Sequence, residues 1–374
     1  MSVLLCLAPD LEAELIEVLD KSRPRIVVSR RCADVVEVVA AARARVGTIA
    51  VVSADMDGLD LTTVGELRSA GVDLLVVAGA RPAAELRSFG VAGVISPNPA
   101  EAASEIRRAL SNAAVPDEPP PLPATGRLIV VSGPGGSSGR STIARDLAAV
   151  SGALLVDADT RNPSQAQMLA LEETSAIIAV ARRIDHGQDP QATLEKVTVQ
   201  VKGGAVLVGL NSGERWRELS RPVMNRMWPV LKRVPWTVAD TTGGVGPAER
   251  NDRDCAANSA LDAADVILEV APATPIGLRR LIETLTKSDQ ASRRARRIAV
   301  VTGVRPKSVG ANPEGQIRDL LREVNVPVVL VSDARPMLDD ALLAGRSAME
   351  VAPKSAYVKE IRSLWRAIAE AAEA

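Results

Sequence analysis

Short apolar runs alternate along this chain with stretches in which apolar residues recur every three or four positions. VLLCL (3–7), RIVVS (25–29), TIAVVS (48–53), DLLVVA (73–78) and GVIS (93–96) have strand length. Between and after them, DLEAELIEVL, ADVVEVVAAARARV, TTVGELRSAG, AAELRSFG and AEAASEIRRAL carry the helical period. Buried strands separated by single helices predict a parallel sheet covered on both faces. Five such units predict the doubly wound strand order 2-1-3-4-5. The alternation resumes with RLIVVSG (127–133), ALLVDAD (153–159), WTVAD (236–240), ADVILEV (264–270), RIAVVTG (297–303) and VPVVLVSD (326–333). Between the two blocks, residues 111–126 read SNAAVPDEPPPLPATG, where five prolines remove amide donors and favour extended geometry. The pattern predicts an α/β protein of two doubly wound parallel-sheet domains, 1–110 and 127–374, joined by a Pro-rich linker at 111–126.

Composition narrows the chemistry. Of 374 residues only 2% are aromatic, and His186 is the single histidine, in the polar stretch RRIDHGQD. That argues against base-stacking nucleic-acid modules and against histidine-based zinc or triad chemistry. The formal net charge is −1, so no global field draws the chain to DNA or anionic lipid. Cys6, Cys32 and Cys255 lack CxxC spacing and read as small core residues in a reducing compartment. No apolar run approaches membrane-spanning length, and the start lacks the basic region of a signal peptide, so the expected location is cytoplasmic.

The chemistry sits in glycines, hydroxyls and carboxylates. GPGGSSGRST follows a strand and opens a helix, the context a phosphate-binding loop requires. Gly133, Gly135, Gly136 and Gly139 free the backbone to cradle an anion, Ser137 and Ser138 lie between them, and Arg140, Ser141 and Thr142 follow. Ser141 stands where a hydroxyl reaches Mg²⁺. A second strand ends in Asp157 and Asp159, and a third in Asp240 with TTGG behind it. Carboxylates at strand ends opposite such a loop suit Mg²⁺-assisted phosphoryl transfer.

These motifs resemble the deviant Walker A ATPases of the MinD/ParA group. On the family pattern, Arg140 takes the place of the phosphate-binding lysine and Gly135 that of the signature lysine, which in the family reaches across a nucleotide-sandwiched dimer. Arginine is planar and forked, so the first exchange is not conservative. The resemblance implies ATP and Mg²⁺ as cofactors, with loop residues 133–142 on the nucleotide. It also implies Ser141, Asp157 and Asp240 at the metal, and Asp159 and Arg140 in catalysis. Thr302 and Gly303 replace the Asn-Arg pair that recognises adenine in the family.

The amino-terminal block resembles a response-regulator receiver, with AVVSADMDGLD where receivers place their phosphoacceptor. Leu7, Ala8 and Pro9 replace the acidic pair and Ser53 the acceptor aspartate, so the block reads as a pseudo-receiver used for contacts; Asp55 and Asp57 read as turn residues. A pseudo-receiver joined to a MinD/ParA-like ATPase more specifically resembles the layout of the CpaE/TadZ/Ssd proteins. This resemblance implies a dimerising localisation factor, concentrated at a pole or septum by pilus or division machinery. Without the signature lysine, hydrolysis is expected to be slow or absent. Two alternatives stay open: a pseudo-ATPase scaffold acting by protein contacts only, and a DNA-partitioning ATPase using Arg293, Arg294, Arg296 and Arg297, although nucleic acid is not the expected partner. The last helix places Val358, Ile361, Trp365 and Ile368 on one face; lacking a basic face, it is expected to pack on its own domain, leaving any membrane association indirect.

Overall fold

The computed structural model describes residues 2–111, 126–136, 138–245, 253–289 and 295–373. The linker residues 112–125, Ser137, Arg293 and Arg294 lie outside them. The chain divides into two compact units, Met1–Pro121 with Arg183–Asp189, and Leu122–Arg182 with Pro190–Ala374.

The first unit contains β1 (Ser2–Cys6), β2 (Val27–Arg31), β3 (Ile49–Ser53), β4 (Asp73–Val77) and β5 (Gly93–Ile95), all parallel, in the order β2-β1-β3-β4-β5. Val3, Leu4, Leu5 and Cys6 of β1 are fully buried, as both faces of this inner strand are covered. The edge strand β2 begins two residues later than its apolar run. Ile26 goes to the core instead, while Val27 pairs with Ser2, so pairing rather than hydrophobicity sets this boundary. Its remaining residues, VVSRR, are mostly exposed, and the arginines guard an open edge. Beyond β3, the Asp55 carboxylate accepts the Ala80 N–H at 3.1 and 3.2 Å, a loop-closing bond.

The second unit builds an eight-stranded sheet from β6 (Arg127–Ser132), β7 (Leu154–Asp157), β8 (Val199–Val201), β9 (Gly204–Leu207), β10 (Trp236–Asp240), β11 (Val266–Pro272), β12 (Arg296–Val304) and β13 (Val328–Ser332). The order is β13-β12-β11-β6-β10-β7-β9-β8, parallel except for β8 against β9. In β6, Leu128, Ile129, Val130 and Val131 are all fully buried, the mark of a central strand. Both sheets agree with the α/β class read from the sequence. The β8–β9 pair lies in a stretch without a motif, and three- and four-residue strands give too little period to mark it in the sequence.

The last helix, Ala356–Glu373, buries Val358, Ile361, Leu364 and Ile368 against its own unit, and Trp365 meets Trp236 edge-on at 4.7 Å between centroids. It is also tied by polar bonds to the helix Arg140–Ser151. There Arg145 and Asp146 form a two-bonded pair of 2.9 and 3.1 Å, each side chain about fully buried. Asp146 accepts two more bonds of 2.9 Å, from the Ala348 N–H and the Tyr357 hydroxyl. Every formal charge here has its partners, the condition under which a buried ion pair is tolerable. Burial and the Asp146 charge hold the Tyr357 phenol well above its ordinary pKa. Among the described residues, no helix is long and apolar enough to cross a membrane.

Candidate nucleotide site

Parallel register brings the site together. Asp240, the last residue of β10, stands opposite Val131 of β6 on one side and Asp157 of β7 on the other. The glycine loop leaves β6 two residues further on, so loop and carboxylates share one edge of the sheet.

The loop needs its glycines unequally. Gly133 has φ +149°, and a Cβ there would lie 2.2 Å from the Val270 carbonyl oxygen. Gly136 and Gly139 have φ +116° and +83°, with Gly139 capping the helix Arg140–Ser151. Gly133→Ala is therefore expected to destabilise the protein by about 2 kcal/mol or more. Thermal unfolding checks this; an unchanged midpoint would contradict the clash.

Arg140 is folded back into the loop. Its Nη1 donates to the carbonyls of Pro134 (3.1 Å) and Gly136 (3.0 Å) and to the Ser138 hydroxyl (3.0 Å). Gly243 leaves room for it, since a Cβ there would meet Nη1 at 2.4 Å. From β12, the Thr302 hydroxyl donates to the Ser138 carbonyl at 2.8 Å. Thr302, which stands where the family resemblance places a base-recognising Asn, thus supports the loop.

The carboxylates do different work. Asp240 is fully buried; its Oδ2 accepts Gln165 Nε2 at 2.7 Å, while its Oδ1 is buried without a hydrogen-bond partner. Burial raises the Asp240 carboxyl above its ordinary range, opposed by the neighbouring Gln165 and Ser141 side chains. Burial, and then the Asp240 charge, raise Asp157 as well. Yet Asp157 has both oxygens engaged: Oδ1 accepts the Asp159 N–H at 3.3 Å, and Oδ2 accepts the N–H groups of Ser164 and Gln165 at 2.9 Å each. That geometry makes Asp157 an organiser of the following loop. Asp159 Oδ1 accepts the N–H groups of Arg161 (2.8 Å) and Asn162 (2.9 Å). Arg161 pairs with Asp254 through two bonds of 2.7 Å, which ties the segment after β7 to the one after β10.

An Mg²⁺ ion fits this donor set. A hydroxyl and a carboxylate with an unsatisfied buried oxygen adjoin an anion-accepting loop, and Mg²⁺ ordinarily takes few protein ligands beside phosphate and water. Among the described residues no three His, Cys, Asp or Glu side chains form a metal cage, which such a site does not require.

Two grooves flank the loop. One, of about 350 Å³, is lined by Ser138, Gly139, Thr142, Thr302, Arg305 and Asp333 among others. The other, of about 430 Å³, is lined by Pro134, Gly135, Gly136, Gly244, Arg280 and Lys287 among others. Two participants escape sequence reasoning. Gln165 bridges Asp240 and the Ser141 carbonyl (3.0 Å) from an aperiodic stretch, NPSQAQ. Arg280 reaches the Gly135 carbonyl from 145 positions away. Neither belongs to a motif.

No protein-family model matches this chain, and no curated protein sequence does. Solved structures do resemble it. A ParA-family ATPase from Chlorobium tepidum has 18% identity and a TM-score of 0.52, over 65% of this chain and 99% of its own. The MinC:MinD cell division protein complex of Aquifex aeolicus matches at 16% identity and a TM-score of 0.52, over 66% and 96%. An McdA–ATP complex from Cyanothece matches at 15% identity and 0.50, over 66% and 98%. At these identities the likeness is one of architecture: about two thirds of this chain carries the parallel-sheet fold of the MinD/ParA ATPases.

Proposed function

We propose that this protein is a nucleotide-dependent switch that binds ATP with Mg²⁺ and hydrolyses it slowly, acting as a dimerising localisation factor of the CpaE/TadZ/Ssd kind. The observation that carries the nucleotide reading is Asp240 Oδ1, buried without a partner beside Ser141 at the mouth of the glycine loop. Ser141 and Asp240 would hold the metal, and the backbone N–H groups of residues 133–142 would hold the phosphates. Bound Mg²⁺ would neutralise phosphate charge during transfer. Arg140 already has its guanidinium among the loop carbonyls, and turning it from them toward phosphate would couple nucleotide entry to loop conformation. Asp159, near Asp240, would orient the attacking water.

Role and partners follow more loosely. ATP in the McdA complex and the MinC partner of MinD support a switch that works through other proteins. The first unit, with Leu7 and Ser53 where receiver chemistry needs carboxylates, supports contacts rather than phosphotransfer. The DNA-partitioning reading is less favoured: Arg297 pairs with Glu269 at 3.1 Å, both side chains buried, and so is unavailable to phosphates.

Titration of the full-length protein with a fluorescent ATP analogue tests the reading. Saturable binding that Mg²⁺ strengthens is expected. No binding under either condition would leave the pseudo-ATPase scaffold in its place, and salt-sensitive DNA binding would favour partitioning.

A further inference from the structure

The two grooves touch opposite ends of the glycine loop. Ser138, Gly139 and Thr142 line the one beside Thr302, whereas Pro134, Gly135 and Gly136 line the one beside Arg280. A nucleoside in the first groove, with its phosphates along the loop amides, would send its outermost phosphate toward the second. Gly135 has no side chain to offer there. Arg140 Nη1 is taken up by three loop acceptors.

Arg280 brings a cation to that end of the loop. It is an exposed residue of the helix Pro275–Asp289, and its Nη1 donates to the Gly135 carbonyl at 3.2 Å. A Cβ on Gly136 would lie 3.7 Å from the same nitrogen, so the guanidinium stands beside both glycines. One of its five N–H donors is used on the carbonyl, and a planar fork suits phosphate oxygens. Glu283, the acid of this groove, is paired with Arg279 at 3.2 Å. Lys287 adds a second positive charge on the same helix.

We propose that Arg280 reads the terminal phosphate of a bound nucleoside triphosphate and so discriminates it from the diphosphate. The inference rests on the nucleotide reading above. It is tested with the full-length protein in Mg²⁺ by competition binding of ADP and the non-hydrolysable analogue AMPPNP. Wild type, Arg280→Ala, Arg280→Lys and Lys287→Ala are compared, with thermal melts to verify folding. Arg280→Ala is expected to weaken AMPPNP about tenfold or more and to leave ADP unchanged. Arg280→Lys should retain part of the preference, and Lys287→Ala should lose less of it than Arg280→Ala. If wild type binds both nucleotides and Arg280→Ala weakens neither, or both equally, the role of Arg280 is overturned while the nucleotide reading stands. If wild type binds neither, the nucleotide reading fails and Arg280 loses its ligand with it.

Discussion

Asp240→Asn is expected to raise the melting temperature of the nucleotide-free protein and, in the same molecule, to remove the Mg²⁺ dependence of nucleotide binding. Asp240 carries its carboxyl fully buried, next in register to Asp157, with one oxygen lacking any hydrogen-bond partner. Burial opposes ionisation of both groups, and the charge of Asp240 adds to that opposition at Asp157. An amide of the same shape keeps an oxygen for Gln165 and carries no charge. Relief of a buried, incompletely paired charge is worth about 2 kcal/mol, or roughly 5 °C in a unit of this size. The same exchange removes the anionic group proposed to hold Mg²⁺, so binding in Mg²⁺ should fall about tenfold or more. Calorimetry without nucleotide and titration with it read the two halves. A lower melting temperature together with unaltered Mg²⁺ dependence would make Asp240 a purely structural residue.

Gly135→Lys should speed ATP hydrolysis by about tenfold or more. The substitution is sterically open: Gly135 is not in the left-handed region, and a Cβ there meets nothing nearer than the Gly243 oxygen and Gly244 Cα, both at 3.9 Å. The melting temperature should therefore stay near wild type, in contrast to Gly133→Ala. Arg280 is held beside the Gly135 carbonyl and serves terminal-phosphate binding, so the affinity for AMPPNP should change little. The gain belongs in kcat, where a mobile ammonium stabilises charge that develops only in the transition state. Phosphate release measured at saturating ATP decides it. Turnover equal to wild type, with ATP binding intact, would mean that the missing lysine does not limit this protein.

Much of this was legible in the residues, and what was not has a physical cause. Gly133, Gly136 and Gly139 announce a loop because only glycine takes their backbone angles, so the requirement is written in the residue type. Asp240 is legible for a similar reason, as a charged residue ending an apolar strand. The face of the last helix carried by Val358, Ile361 and Ile368 follows from its period alone, and those residues are buried. Asp157 looks like Asp240 in sequence, and what separates them is which backbone N–H groups fold back onto each carboxylate. That is decided by the path of residues 159–165, not by the residue itself. Gln165 and Arg280 gain their meaning from contacts across the sheet edge, and local pattern carries no trace of either. The start of β2 is set by its partner strand, β1, which periodicity within 25–31 does not register.

The bonds around Asp146 also set an order of events during synthesis. The helix that begins at the glycine loop buries the Arg145–Asp146 pair, and two of the groups that complete it come from residues 202 and 211 positions later. Until the ribosome has made Ala348 and Tyr357, that pair has neither its amide nor its phenol, and burying it is unfavourable. The nascent helix therefore packs on β6, β7 and β10 before these two bonds can complete its buried pair. The helix that follows the glycine loop is thus fully anchored only when the last elements of the chain have been made.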